Sequence, residues 1–164
     1  MPWWSRPIAL LMQLLALLLA TPAWAAPNNI SAELVAESSA MPGSEVTLAI
    51  HMRPQPGWHG YWLNPGDAGL GMVLDWTLPK GASAGTPRYP VPETLVISGL
   101  MNHVYEHDFA VLVPIRLPAN AAPGSVLPLS LKAQWLACTD KVCVPEQAEL
   151  SGGSRVGEPD AIDP

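Results

Sequence analysis

Apolar and polar residues alternate with period two in several short runs. Ile30, Ala32, Leu34 and Ala36 alternate with polar neighbours. Val46, Leu48, Ile50 and Met52 do so after a Pro42-Gly43 turn. Met72, Leu74, Trp76 and Leu78 run up to Pro79-Lys80-Gly81, and Phe109, Val111, Val113, Ile115 and Leu117 end at Pro118. Leu127, Leu129, Leu131, Ala133 and Trp135 make the cleanest run, and residues 147–150 read as a short last strand. Side chains on a strand point alternately to its two faces, so each run predicts a strand with one buried face. All but three of the 19 prolines follow residue 25 and interrupt any long helical pattern. Alternating runs bounded by Pro and Gly predict an all-β, antiparallel sandwich.

Two stretches fit no simple strand. Residues 53–70 hold Pro54, Pro56, Gly57, Pro65, Gly66 and Gly69 around Trp58-His59-Gly60-Tyr61-Trp62, and Asn64-Pro65-Gly66-Asp67 reads as a turn. Residues 82–104 hold Pro87, Pro90 and Pro92, then a Gly99-Leu100-Met101 tip. Long ordered loops on a small sandwich are often functional. Residues 152–164 are rich in Gly, Ser, Asp and Pro and predict a disordered tail after a domain over residues 26–151.

The amino terminus adds a compartment. Arg6 precedes a run, Ile8 to Ala20, that is apolar except for Gln13; Ala23 and Ala25 then give a small-x-small pattern. These are the zones of a secretory signal peptide, residues 1–25, removed on export. The run is too short for a membrane anchor, which needs about 20 residues. No later stretch is long and apolar enough to span, so the expectation is a periplasmic chain without a membrane span. The formal charge is −6, and losing Arg6 makes the mature part more acidic. With only Lys80, Lys132 and Lys141 as lysines, it lacks the basic face that nucleic acid requires.

The chemistry lies in the two cysteines, Cys138 and Cys143. In an exported chain such a pair usually forms a disulfide. As a staple it would contribute little: the chain-entropy model gives about 2 kcal/mol for so short a ring, against about 4.7 for a 100-residue loop. A short, accessible ring suits thiol–disulfide exchange, but a structural clip or a metal-ligand pair remains open at this point. If the run ending at Trp135 keeps its parity, odd positions face the core and Cys138 shares the other face with Lys132, Gln134 and Leu136. Asp140 and Lys141 lie inside the ring with opposite effects on a thiolate.

The segment Trp135-Leu136-Ala137-Cys138-Thr139-Asp140-Lys141-Val142-Cys143-Val144-Pro145-Glu146 resembles the cysteine motif of the amino-terminal periplasmic domain of DsbD-type thiol:disulfide interchange proteins. The run from Gly57 through Asn64-Pro65-Gly66-Asp67 to Gly69 resembles the aromatic stretch of the same domain, above all in its ScsB-like subgroup. The likeness extends over about residues 30–150. It implies an immunoglobulin-like sandwich in which Cys138 and Cys143 are the redox pair and no cofactor is needed. It implies reduction by membrane-embedded and thioredoxin-like thiol:disulfide proteins, and delivery of electrons to periplasmic disulfide isomerase-like substrates. It also implies a cap over the disulfide, by position within residues 95–103, including Leu100 and Met101, with Trp58 and Tyr61 lining the groove. Complete members of the family continue into a membrane domain and a thioredoxin-like domain.

The competing class is a periplasmic binding module for copper or for another protein, with the cysteines as ligands or a clip. Its metal would draw on His103 and His107. In extended chain, residues four apart lie about 13 Å apart, too far to share one ion, so these read as exposed loop histidines. His51 alternates with core positions and reads as exposed, and Trp76 and Trp135 read as core or rim residues.

Overall fold

The alternating runs become two face-to-face sheets, with a third, smaller sheet at one end, in the computed structural model, which describes residues 27–36 and 39–157. The signal peptide expected over 1–25 lies outside the described residues, as does the part of the expected tail at 158–164. The strands are β1 (Ile30–Ala36), β2 (Ser39–Ala40), β3 (Glu45–Pro54), β4 (Gly60–Gly66), β5 (Val73–Thr77), β6 (Ser83–Ala84), β7 (Glu93–Ile97), β8 (Leu100–Tyr105), β9 (Phe109–Arg116), β10 (Val126–Cys138) and β11 (Cys143–Val156). One sheet has the order β1-β3-β9-β6, the second β2-β11-β10-β5, the third β4-β8-β7. The fold is an all-β, immunoglobulin-like sandwich.

The core follows from parity. Val46, Leu48, Ile50 and Met52 of β3 and Val111, Val113 and Ile115 of β9 point inward from the first sheet. Leu129, Leu131, Ala133 and Trp135 of β10 meet them from the second. Each large aliphatic side chain removed from water contributes roughly 1.5–3 kcal/mol.

The structure departs from the sequence pattern in three places. The last strand is not a short run at 147–150: β11 pairs with β10 from Cys138↔Cys143 to Val126↔Arg155. It passes through Ser151-Gly152-Gly153-Ser154, where a tail was expected. Backbone pairing with β10 holds that segment, and Ser154 and Val156 are fully buried. Next, the two Pro- and Gly-rich stretches are not simply loops, because they supply β4, β6, β7 and β8. Finally, Asn64, Pro65 and Gly66 belong to β4 rather than to a turn. Pairing to β8 shifts register between Tyr61↔Val104 and Gly66↔Asn102, and this irregularity accommodates a proline that has no N–H to give.

Candidate functional site

The cysteines close the hairpin between β10 and β11. They stand opposite each other, Cα–Cα 4.1 Å, and are joined as a disulfide. The turn needs no disulfide to hold it. Thr139 N–H donates to Val142 O at 2.8 Å, and Thr139 Oγ1 accepts from the amides of Lys141 and Val142, both at 3.1 Å.

The outer residues of the motif form a second fastening. Trp135 and Glu146 are cross-strand partners, and the indole N–H donates to the Glu146 carboxylate at 3.0 Å. The same buried carboxylate accepts from the Asn29 amide at 2.6 Å, the Asn29 side chain at 2.8 Å and the Ile30 amide at 3.0 Å. It thereby ties the start of β1 to the cysteine hairpin.

The two sulfurs have different surroundings. Cys138 is fully buried and Cys143 is exposed. Parity does turn Cys138 away from the main core. That outer face is not open, however, because the third sheet covers it: Cys138 packs in a small cluster with Tyr61 and Val104, flanked by Leu95 and Leu136. On the Cys143 side lies an open groove. Its walls are the cysteine turn, Tyr61, and Ile97, Ser98 and Leu100 of the β7–β8 hairpin.

Residues 95–103, where the cap was expected, fall within that hairpin. Its turn is Ser98-Gly99, with φ of 52° and 84°. Positive φ at both central residues is the type I′ geometry that matches strand twist. Asp67 fastens the hairpin: its N–H donates to Met101 O, and its carboxylate accepts from Met101 N–H, each at 2.8 Å. The approach is close enough to require glycine nearby. A Cβ on Gly66 would lie 2.4 Å from Met101 O, and one on Gly69 would lie 2.2 Å from the Tyr61 ring.

Of the residues singled out from sequence, Cys138, Cys143, Tyr61 and Leu100 are thus assembled together. Met101 is exposed on the same hairpin, its backbone held by Asp67. Trp58 lies apart, lining a different cavity with Pro54, Pro56 and His107 and packing against the main core. His103 sits in β8, its Nδ1 3.1 Å from Asn64 O and its ring edge-on to Trp62, whereas His107 is in the bend after β8. His51 is half-buried and 3.8 Å from Asp108. Among the described residues, no three His, Cys, Asp or Glu side chains form a group able to hold a metal ion.

Sequence reasoning gave His59 no role, yet its backbone pairs with that of Cys138. His59 and Cys138 form an isolated antiparallel bridge, N–H to O at 2.8 Å one way and 3.0 Å the other. The ring is buried and edge-on to Tyr61, centroids 5.4 Å apart. Burial lowers its pKa below the ordinary histidine value, partly offset by Glu106. The available signal was the small residue between two rings: Gly60 turns toward Ile30 and Phe109 in the main core, which sends His59 and Tyr61 to the opposite face.

The family model for the N-terminal part of thiol:disulfide interchange protein DsbD matches residues 31–154. The chain belongs to the DsbD N-terminal domain family. It is therefore a thiol:disulfide interchange domain, with its cysteine pair at disulfide distance. The N-terminal periplasmic domain of ScsB from Proteus mirabilis has a similar fold, with a TM-score of 0.56 and 21% identity. The match covers 81% of this chain and 48% of that one, so this chain spans about half the length of that relative. The DsbD N-terminal domain in a complex with the PilB N-terminal domain, from Neisseria meningitidis, aligns at a TM-score of 0.44 and 21% identity, covering 80% of this chain and 88% of that one. No curated protein matches the chain. Among the described residues, no helix of this DsbD N-terminal family member is long and apolar enough to cross a membrane.

Proposed function

We propose that this chain is a periplasmic electron-relay module that reduces disulfides in partner proteins through Cys143 and Cys138. The observation that carries the proposal is the asymmetry of the pair, an exposed Cys143 bonded to a fully buried Cys138. In the reduced domain, the Cys143 thiolate attacks one sulfur of a partner disulfide and the partner's other sulfur leaves as a thiolate. The Cys138 thiolate then attacks Cys143 Sγ, re-forming the intramolecular disulfide and releasing the partner as a dithiol. Two electrons pass from the pair to the partner. The β7–β8 hairpin beside Cys143 serves as the cap, and Tyr61 and Leu100 line the way to the sulfur. Thioredoxin-like proteins, with their small exposed disulfides, suit this groove as partners, and a membrane-embedded protein upstream supplies the electrons. Disulfide isomerase-like proteins are the downstream substrates.

Alkylation tests the asymmetry. The reduced chain is pulsed with N-ethylmaleimide, quenched in acid, and the modified cysteine located by mass spectrometry. Cys143 is expected to be modified at least about tenfold faster than Cys138, because an exposed thiolate is the reactive species. Equal rates, or faster modification of Cys138, contradict the assignment.

A further inference from the structure

Resolution by Cys138 raises a proton problem. Its sulfur is fully buried, so on reduction it becomes a thiol shielded from water, and it must lose that proton before attacking Cys143. His59 is the group across from it. Opposed residues in a hydrogen-bonded antiparallel pair carry their side chains on one face, with Cβ atoms about 5.5 Å apart or less. His59 is 2% exposed, and its Nε2 has no hydrogen-bond partner. A buried imidazole with a free nitrogen, on the face that holds the sulfur, is poorly explained as packing, because an unpaired buried polar atom costs roughly 1–3 kcal/mol. Three ionisable groups surround it. Tyr61 meets its ring edge, and Glu106 and Asp140 line the cavity it faces, to which β7 gives only Leu95, Val96 and Ile97. Burial keeps the imidazole neutral at neutral pH and so able to accept a proton.

We propose that His59 is the proton carrier for Cys138, taking the thiol proton as that sulfur attacks Cys143 and supplying one when the disulfide is reduced. The proposal rests on the exchange reading above. In the oxidising direction, the Cys138 S–H proton passes to the imidazole. The sulfur lone pair forms the bond to Cys143 Sγ, and the partner sulfur leaves with the electron pair of the mixed disulfide. In the reducing direction the imidazole takes a proton from solvent, a donor thiolate bonds to Cys143 Sγ, the disulfide breaks, and the imidazolium protonates the departing Cys138 sulfur.

Stopped-flow reaction of the reduced chain with 5,5′-dithiobis(2-nitrobenzoate) separates the steps. The first thionitrobenzoate is released as Cys143 attacks, the second as Cys138 displaces the mixed disulfide. His59→Gln and His59→Phe are expected to slow the second phase about a hundredfold, the lower end of general-base effects, and to confine the change to that phase. In the parent, the second phase rises with pH through the imidazole titration and then levels. In the variants it follows the thiol's own ionisation to higher pH. A second phase unchanged in both variants, or two phases slowed alike, overturns the role of His59. A parent without a first phase defeats the exchange reading itself. A measurement on the unmodified chain stands apart from variant folding: by NMR, the His59 titration moves to higher pH on reduction of the disulfide. An identical titration in both redox states overturns the proposal.

Discussion

A Cys138→Ala chain, exported alongside a disulfide-bearing thioredoxin-like partner, accumulates a covalent adduct that collapses on reduction, whereas Cys143→Ala yields none. The expectation comes from burial. Cys143 is the sulfur a partner can reach, and Cys138 lies behind it under Tyr61 and Val104. Without Cys138 nothing inside the domain attacks the mixed disulfide, so it persists until an outside thiol cleaves it. Without Cys143 the remaining thiol is shielded and no adduct starts. The contrast on a non-reducing gel should exceed about tenfold, since exchange depends on access to a thiolate as well as on its ionisation. Adducts of equal strength from both variants, or a stronger one from Cys143→Ala, reverse the assigned order of attack.

The second large effect is on stability, and it falls on a residue outside the disulfide. Glu146→Ala is expected to lose about 3–5 kcal/mol, because each buried donor it leaves unpaired costs roughly 1–3 kcal/mol. Its carboxylate accepts four hydrogen bonds, from the Asn29 amide and side chain, the Ile30 amide and the Trp135 indole. Alanine leaves the Ile30 and Trp135 donors buried and unpaired. Glu146→Gln keeps one acceptor oxygen and falls between. The Cys138→Ser/Cys143→Ser double variant loses only about 2 kcal/mol, because the ring is short and the Thr139 turn is already closed by its own hydrogen bonds. Urea melts at unchanged m-value measure both. A Glu146→Ala loss below about 1 kcal/mol contradicts the latch, and a double cysteine variant that loses more than about 5 kcal/mol makes the pair a staple.

The sandwich was legible because its core strands obey period two without interruption. Leu48, Ile50, Val111, Val113, Leu129 and Leu131 are all fully buried or nearly so, and each belongs to an alternating run. The third sheet was not legible, for two physical reasons. The β4 pairing shifts register after Tyr61, so the alternation breaks where the strand continues. The β7–β8 hairpin exposes Val96, Leu100 and Met101, so no alternating run with a buried apolar face marks its strands. The end of β11 was missed because Gly152 and Gly153 carry no apolar signal, although their backbone pairs with β10.

The cysteine pair was found by spacing and by the flanking motif, but the inequality of the two sulfurs was not. Parity alone turned Cys138 away from the core, and it could not reveal that the third sheet then buries it. Two partners across long stretches of chain were equally invisible. Glu146 reaches Asn29 across 117 positions, and His59 meets Cys138 through a bridge belonging to no regular strand pair. Neither contact follows from local pattern, because each exists only once two sheets have come together.

The reduction potential of the Cys138–Cys143 couple tests the central claim most directly. The oxidised chain is equilibrated with a thioredoxin-like protein of known potential, and the fraction reduced is read by acid quench and alkylation. An electron relay has to lie within the range of about −120 to −270 mV spanned by proteins that exchange disulfides, and that is the value expected here. A potential well below about −300 mV, where structural disulfides lie, would contradict the account and make the pair a clip.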